Sequence, residues 1–181
     1  MKFQLRRMSI ASWTFIALSI GSASYLGVSA LDYVAFYPAL AQLQASTWKI
    51  SFQPSGSSTS ALVLQVSVSN PSGNSGFTLT NLDLTIFFTN SSSSNSTYLL
   101  FAPGGLRAHQ DITKKLAPHS TLNSTMVIAL SSSDKDSLLN FTRTYDGQVM
   151  AQVTLDTQII TFLEPVAGRL PLEGTDNLPL S

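Results

Sequence analysis

Residues 61–70 read ALVLQVSVSN. Leu62, Leu64, Val66 and Val68 fall on every second position, so an extended chain here places all four on one face and the polar Gln65, Ser67 and Ser69 on the other. A helix would scatter the same residues around its axis. The next residues, Asn70-Pro71-Ser72-Gly73, carry strong turn chemistry: Pro71 fixes its own φ, and Gly73 tolerates backbone conformations that side chains resist. A strand closed by a turn is therefore the unit of this fold.

The same period extends in both directions. Upstream, Trp48, Ile50 and Phe52 alternate with Lys49 and Ser51, which predicts a first strand with Trp48 on its buried side. Downstream, Phe77, Leu79, Leu82, Leu84, Ile86 and Phe88 predict another, with a bulge near Asn81 where the alternation slips by one. Thr89 to Thr97 (TNSSSSNST) has nothing to bury and reads as an exposed hairpin loop. Tyr98-Leu99-Leu100-Phe101 resumes a strand before Pro103-Gly104-Gly105. Leu122, Met126, Ile128 and Leu130 mark a further strand, led in by Ala117-Pro118-His119-Ser120. Ser131-Ser132-Ser133-Asp134 reads as a helix start, with Asp134 and Asp136 near the positive end of the helix dipole. Leu138, Leu139 and Phe141 are its expected buried side. A final strand pair spans Gly147 to about Leu163, and residues 166–181, rich in Pro and Gly, are expected to be an irregular tail. Six or seven short strands with one short helix predict an all-β, antiparallel β-sandwich over residues 46–165.

The N-terminal part has another character. Met8 to Leu31 (MSIASWTFIALSIGSASYLGVSAL) contains no charge and as a helix rises about 36 Å, enough to cross a hydrocarbon core of about 30 Å. Lys2, Arg6 and Arg7 precede it, so residues 1–7 form a basic segment expected in the cytoplasm, with the β domain on the far side. The competing reading is a cleaved signal peptide, for which Val28-Ser29-Ala30 is a passable site. Either way the β domain is exported. Residues 32–45 continue with apolar residues around Pro38 and read as a juxtamembrane helix or stalk. Ser19, Ala23 and Gly27 form a small-residue stripe along which another helix can approach.

Composition narrows the function classes. Charged residues make up 11% of the chain, against about 25% for ordinary soluble domains. Setting the three N-terminal basic residues apart leaves seven basic against ten acidic residues downstream, about −3. That balance offers no basic patch to neutralise phosphates and excludes nucleic acid as a partner. With no cysteine there are no disulfides and no thiolate chemistry. At 44% hydrophobic the chain has enough apolar material to fold around a core.

The order of these segments resembles a known family. A Trp-led strand precedes one that closes in Val68-Ser69-Asn70-Pro71. After the Leu-rich strands come Leu116-Ala117-Pro118-His119-Ser120-Thr121 and a late Tyr145-Asp146-Gly147. This is similar to the type-2 late embryogenesis abundant domain, also called the water-stress and hypersensitive-response domain, over roughly residues 46–165. The resemblance implies a Greek-key sandwich with a small helix, often behind a membrane anchor, and it brings no catalytic residues. The long Ser/Asn loop and the low charge depart from the more charged cytosolic members.

Chemistry-bearing motifs are sparse. Gly73-Asn74-Ser75-Gly76-Phe77 fails the nucleophile-elbow pattern at Phe77, and no phosphate-binding glycine pattern occurs. His109 and His119 lie ten apart without a helical partner and read as surface or turn residues. Asp134-Lys135-Asp136 has Leu139 where a calcium loop needs glycine. Asp83, Asp111, Asp146 and Asp156 are scattered with nothing pairing them as an acid and base. The expectation is therefore no enzyme, no cofactor and no metal. Four sequons stand out instead: Asn90-Ser91-Ser92, Asn95-Ser96-Thr97, Asn123-Ser124-Thr125 and Asn140-Phe141-Thr142. Together with absent cysteine and sparse charge they suggest an archaeal surface glycoprotein.

The expected function is a non-catalytic, membrane-tethered extracytoplasmic domain. It would be held in the bilayer through residues 8–31 and act as a structural or interaction domain, or as an accessory subunit among other protein subunits. The alternatives are a subunit of an extracellular filament or surface layer and a sandwich that binds a small apolar ligand or lipid.

Overall fold

A computed structural model of the chain describes residues 10–53, 60–90, 100–101, 103–162, 165 and 168–181. It divides into two units, Met1–Ala41 and Gln42–Ser181. The first contains one helix, α1 (Ile10–Ala41), with Pro38 inside it. The expected boundary at residue 31 is thus no break: the helix runs on through the segment read as a stalk. Its portion Ser12–Ala41 is long and apolar enough to cross a membrane. Tyr33 and Tyr37, one turn apart, share a hydroxyl hydrogen bond of 2.9 Å and an edge-to-face ring contact at 5.2 Å.

The second unit is the sandwich. Its strands are β1 (Gln44–Gln53), β2 (Ser60–Asn70), β3 (Phe77–Asn90), β4 (Leu106–Leu116), β5 (Ser120–Leu130), β6 (Val149–Ile160) and β7 (Leu170–Pro179), with helix α2 (Ser132–Thr144) between β5 and β6. They form a three-stranded sheet ordered β1-β2-β5 and a four-stranded sheet ordered β4-β3-β6-β7, all neighbours antiparallel. The chain changes sheets after β2, after β4 and across α2, the Greek-key-like arrangement that the family resemblance implies. Each sheet turns one face inward. Leu62, Leu64, Val66 and Val68 are buried on β2 as their spacing requires, and Leu82, Leu84, Ile86 and Phe88 of β3 and Val153 and Leu155 of β6 are buried likewise. Truncating any of these leaves a void that packed neighbours only partly refill, typically costing about 2–5 kcal/mol.

The anticipated bulge is present: the register of β3 against both neighbours shifts between Leu79 and Asn81. Buried Asn81 is held there by Thr157, whose hydroxyl donates to the Asn81 carbonyl at 2.6 Å, and by Gln158, whose N–H reaches Asn81 Oδ1 at 3.2 Å. The helix start is also where the residues place it. Ser131 is the N-cap, and it exchanges hydrogen bonds with Asp134 in a capping box. Leu138 and Phe141 are buried, while Leu139 is only half-buried.

Two expectations are corrected, and one strand is present that the sequence did not announce. Within the segment expected to be an irregular tail, Leu170–Pro179 forms β7, paired along its length with β6. As an edge strand it accommodates Pro171 and Pro179, whose missing N–H groups cost nothing on the unpaired side. The expected strand pair from Gly147 is one strand, β6. The segment 106–116, which carries Arg107, His109, Asp111, Lys114 and Lys115, is strand β4, although its alternation is too polar to announce one. Thr89 and Asn90, expected in the hairpin loop, are the last residues of β3; the rest of that expected loop, with Tyr98 and Leu99, lies outside the described residues, and Leu100 bridges to Phe88.

The two sheets also meet along one seam. Gly174 of β7 lies so close to β1 that a Cβ there would stand 2.6 Å from the Ala45 carbonyl carbon, so this approach requires glycine. The N–H of Phe52 donates to the Ser181 carbonyl at 2.9 Å and the Ser181 hydroxyl to the Ile50 carbonyl at 2.7 Å.

Candidate functional site

The four sequons are dispersed. Asn90 ends β3 opposite Val149, Asn95 lies outside the described residues, Asn123 is exposed at mid-β5, and Asn140 is exposed on α2. In the last sequon Phe141 is buried and the Thr142 hydroxyl donates to the Leu138 carbonyl at 2.8 Å. Ser19, Ala23 and Gly27 fall along one exposed face of α1, and a Cβ at Gly27 would meet nothing within 4 Å.

A polar node joins the two sequence segments that carried the family resemblance. Asn70, 0% exposed, donates through Nδ2 to the Asn74 carbonyl at 2.7 Å and the Ala117 carbonyl at 3.1 Å. Its Oδ1 accepts from the Ser72 N–H at 3.1 Å and the Ser72 hydroxyl at 2.6 Å. Across the gap, the His119 N–H donates to the Ser72 carbonyl at 3.1 Å, and His119 Nδ1 lies 2.7 Å from the Pro71 carbonyl oxygen, which it contacts as a donor. His119 has φ 49°, a left-handed conformation at a residue whose ring and backbone both bond across this gap. The Asn-Pro turn and the Pro-His-Ser turn thus clamp β2–β3 to β4–β5. The Asn70 amide has both its N–H groups and its Oδ1 engaged within this node, so its role is structural.

On the outer face of the four-stranded sheet, pairing brings together acids that sequence spacing leaves scattered. Asp83 stands opposite His109 on β4 and Asp156 on β6, and Asp156 stands opposite Glu173 on β7. His109 Nδ1 lies 2.5 Å from Asp83 Oδ1, and Nε2 lies 3.1 Å from Asp111 Oδ1. The hydrogen bond to Asp83, then that to Asp111, then the Asp83 charge raise the His109 pKa above its ordinary 6.5. Both ring nitrogens point at carboxylates, so neither is left to take a proton from a substrate. Among the described residues no group of three His, Asp or Glu side chains is placed to hold a metal ion.

The feature that the sequence misplaces is Trp48. Its spacing from Ile50 and Phe52 predicts burial, yet Trp48 is 55% exposed while Thr47 is buried. The cause is an irregularity in β1: pairing steps from Thr47↔Val66 to Lys49↔Gln65, leaving Trp48 without an opposite residue and turning both Trp48 and Lys49 outward. The Thr47 N–H donates to Asp176 Oδ2 on β7 at 2.6 Å. Trp48 lines a shallow depression of about 170 Å³ with Gln65, Asn123, Ser124 and Thr125. Nothing local in the sequence reports this, because the bond to Asp176 spans 129 positions.

No protein-family model and no curated protein matches the chain. Solved structures of similar outline exist. A provisionally assigned late embryogenesis abundant protein is 15% identical over 89% of this chain and 88% of its own, at a TM-score of 0.36. A protein from Arabidopsis thaliana is 13% identical over 76% and 82%, at 0.40. One from Archaeoglobus fulgidus is 10% identical over 77% and 96%, at 0.41. The class defined here is an antiparallel β-sandwich, accompanied by an N-terminal helix long and apolar enough to cross a membrane. Likenesses at these values assign it neither family nor activity.

Proposed function

We propose that the chain is a membrane-tethered, non-catalytic β-sandwich that works outside the cytoplasm as an interaction or structural domain of a membrane assembly. One observation carries this reading: a single helix, Ile10–Ala41, whose portion Ser12–Ala41 is long and apolar enough to cross a membrane, precedes a second compact unit that starts at Gln42 and holds the sandwich. Lys2, Arg6 and Arg7 on its N-terminal side place that end in the cytoplasm by the charge rule. The filament alternative, in which copies join by adding strand to strand, is less well supported by the edges. Edge strand β4 carries Arg107, Lys114 and Lys115, charges of the kind that oppose such pairing. A lipid between the sheets would have to displace the side chains of Leu64, Leu84 and Val153, which are already fully enclosed there.

The test is an intact mass of the protein from its own membranes, combined with protease treatment of whole cells. The expected result is a mass that retains residues 1–30, resistance to alkaline extraction, and digestion of the sandwich from outside. A mature chain beginning near Leu31 overturns tethering, and a sandwich protected in intact cells overturns the placement.

A further inference from the structure

Four sequons compete for attention, and the surroundings of one separate it from the rest. Asn123, Ser124 and Thr125, a complete acceptor motif, all line the depression that contains Trp48 and Gln65. An exposed indole beside an amide and a hydroxyl is the chemistry that holds a sugar ring: the apolar C–H face rests on the aromatic surface, and hydroxyl groups bond to the polar neighbours. Size decides how that sugar is supplied. Sites that hold a free ligand by their own affinity measure about 300–1,000 Å³, and this one is about 170 Å³. A ring already bonded to Asn123 needs no such site, because attachment supplies a local concentration in the millimolar range.

We infer that Asn123 carries an N-linked glycan whose first ring packs against Trp48. The inference rests on the extracytoplasmic placement proposed above. In the transfer step, the Asn123 amide nitrogen attacks the anomeric carbon of a lipid-linked glycosyl phosphate or diphosphate. The C–N bond forms as the anomeric C–O bond breaks, the amide gives up one proton, and the lipid phosphate leaves with the electron pair. A cellular transferase performs this step on the extended chain. Folding then seats the product on the outward face of the three-stranded sheet, where exposed Val127 of β5 is also found.

The experiment uses full-length protein from its native membranes in a Trp13→Phe background, so that Trp48 is the sole indole. Glycopeptide mass spectrometry reads Asn123, and acrylamide quenching reads Trp48 in this protein, in Asn123→Gln and in Thr125→Ala. The expected result is sugar mass on Asn123 and Trp48 quenching roughly twofold weaker than in either unglycosylated variant, as a covered ring requires. Sugar on Asn123 with equal quenching in all three overturns the packing and leaves the extracytoplasmic placement standing. An unmodified Asn123 beside modified Asn90 or Asn140 overturns the inference alone. No sugar at any sequon overturns it and withdraws one support from the placement as well.

Discussion

At the residue scale, two side chains show how buried and exposed polar groups contribute differently. Asn70 has all its bonds inside the protein, so Asn70→Ala strands the Ser72 hydroxyl and the Asn74 and Ala117 carbonyls together. Orphaned groups of this kind cost about 1–3 kcal/mol each before relaxation, and we expect a loss of roughly 2–3 kcal/mol in urea unfolding. A loss under half a kcal/mol would mean that water replaces the network freely. His109 is different, being surface-exposed with its bonds to Asp83 and Asp111 open to solvent. Its pKa is raised in the fold, so its contribution is fully present below the ordinary value of 6.5 and fades as pH rises through the higher folded value. The stability difference between wild type and His109→Gln should therefore be largest under mildly acidic conditions and shrink toward alkaline pH. Asp83 and Asp111, the two carboxylates on its ring nitrogens, are the charged groups that set this dependence. A difference that grows with pH would contradict the pairing.

At the element scale, strand ends and edges depend on single positions. Helix α2 begins with a reciprocal cap between Ser131 and Asp134, and Ser131→Ala should lower stability by about 1 kcal/mol in thermal or urea unfolding. Strand β7 depends on Gly174, because any Cβ there meets the Ala45 backbone rather than a flexible side chain. Gly174→Ala should force β1 and β7 apart and cost about 1–3 kcal/mol or more. Faster hydrogen exchange at the Phe52 amide, which bonds to Ser181 along this seam, would locate the damage; unchanged exchange would refute this account. The cap was legible in sequence because a capping box spans four residues. The seam was not, since Ala45 and Gly174 are brought together by pairing through β2 and β6, and no local pattern encodes that approach.

At the scale of the whole molecule, the two units follow different physical rules. Helix α1 keeps large apolar side chains such as Phe15, Leu18 and Tyr25 exposed, an arrangement that suits lipid and is costly in water. The sandwich buries its apolar residues between two sheets and shows solvent a polar, weakly charged surface. Purified in water without detergent, the full chain should self-associate through α1. Detergent above its micelle concentration should disperse it, as light scattering would show; a monodisperse monomer without detergent would contradict the membrane reading.

The amino-acid sequence by itself determined the alternating strands, the bulge at Asn81, the start of α2 and the apolar N-terminal helix. Each of these is written within a few neighbouring residues, where burial on one face or a short-range hydrogen bond suffices. The tertiary structure alone decided that residues 106–116 and 170–179 are strands, since an edge strand has one unpaired side and its polar residues blur the alternation. It alone paired Asp83 with His109 and Asp156, and it alone turned Trp48 outward beside Asn123. That reversal follows from an irregular register in β1 whose buried Thr47 N–H bonds to Asp176, a partner supplied by a strand far along the chain.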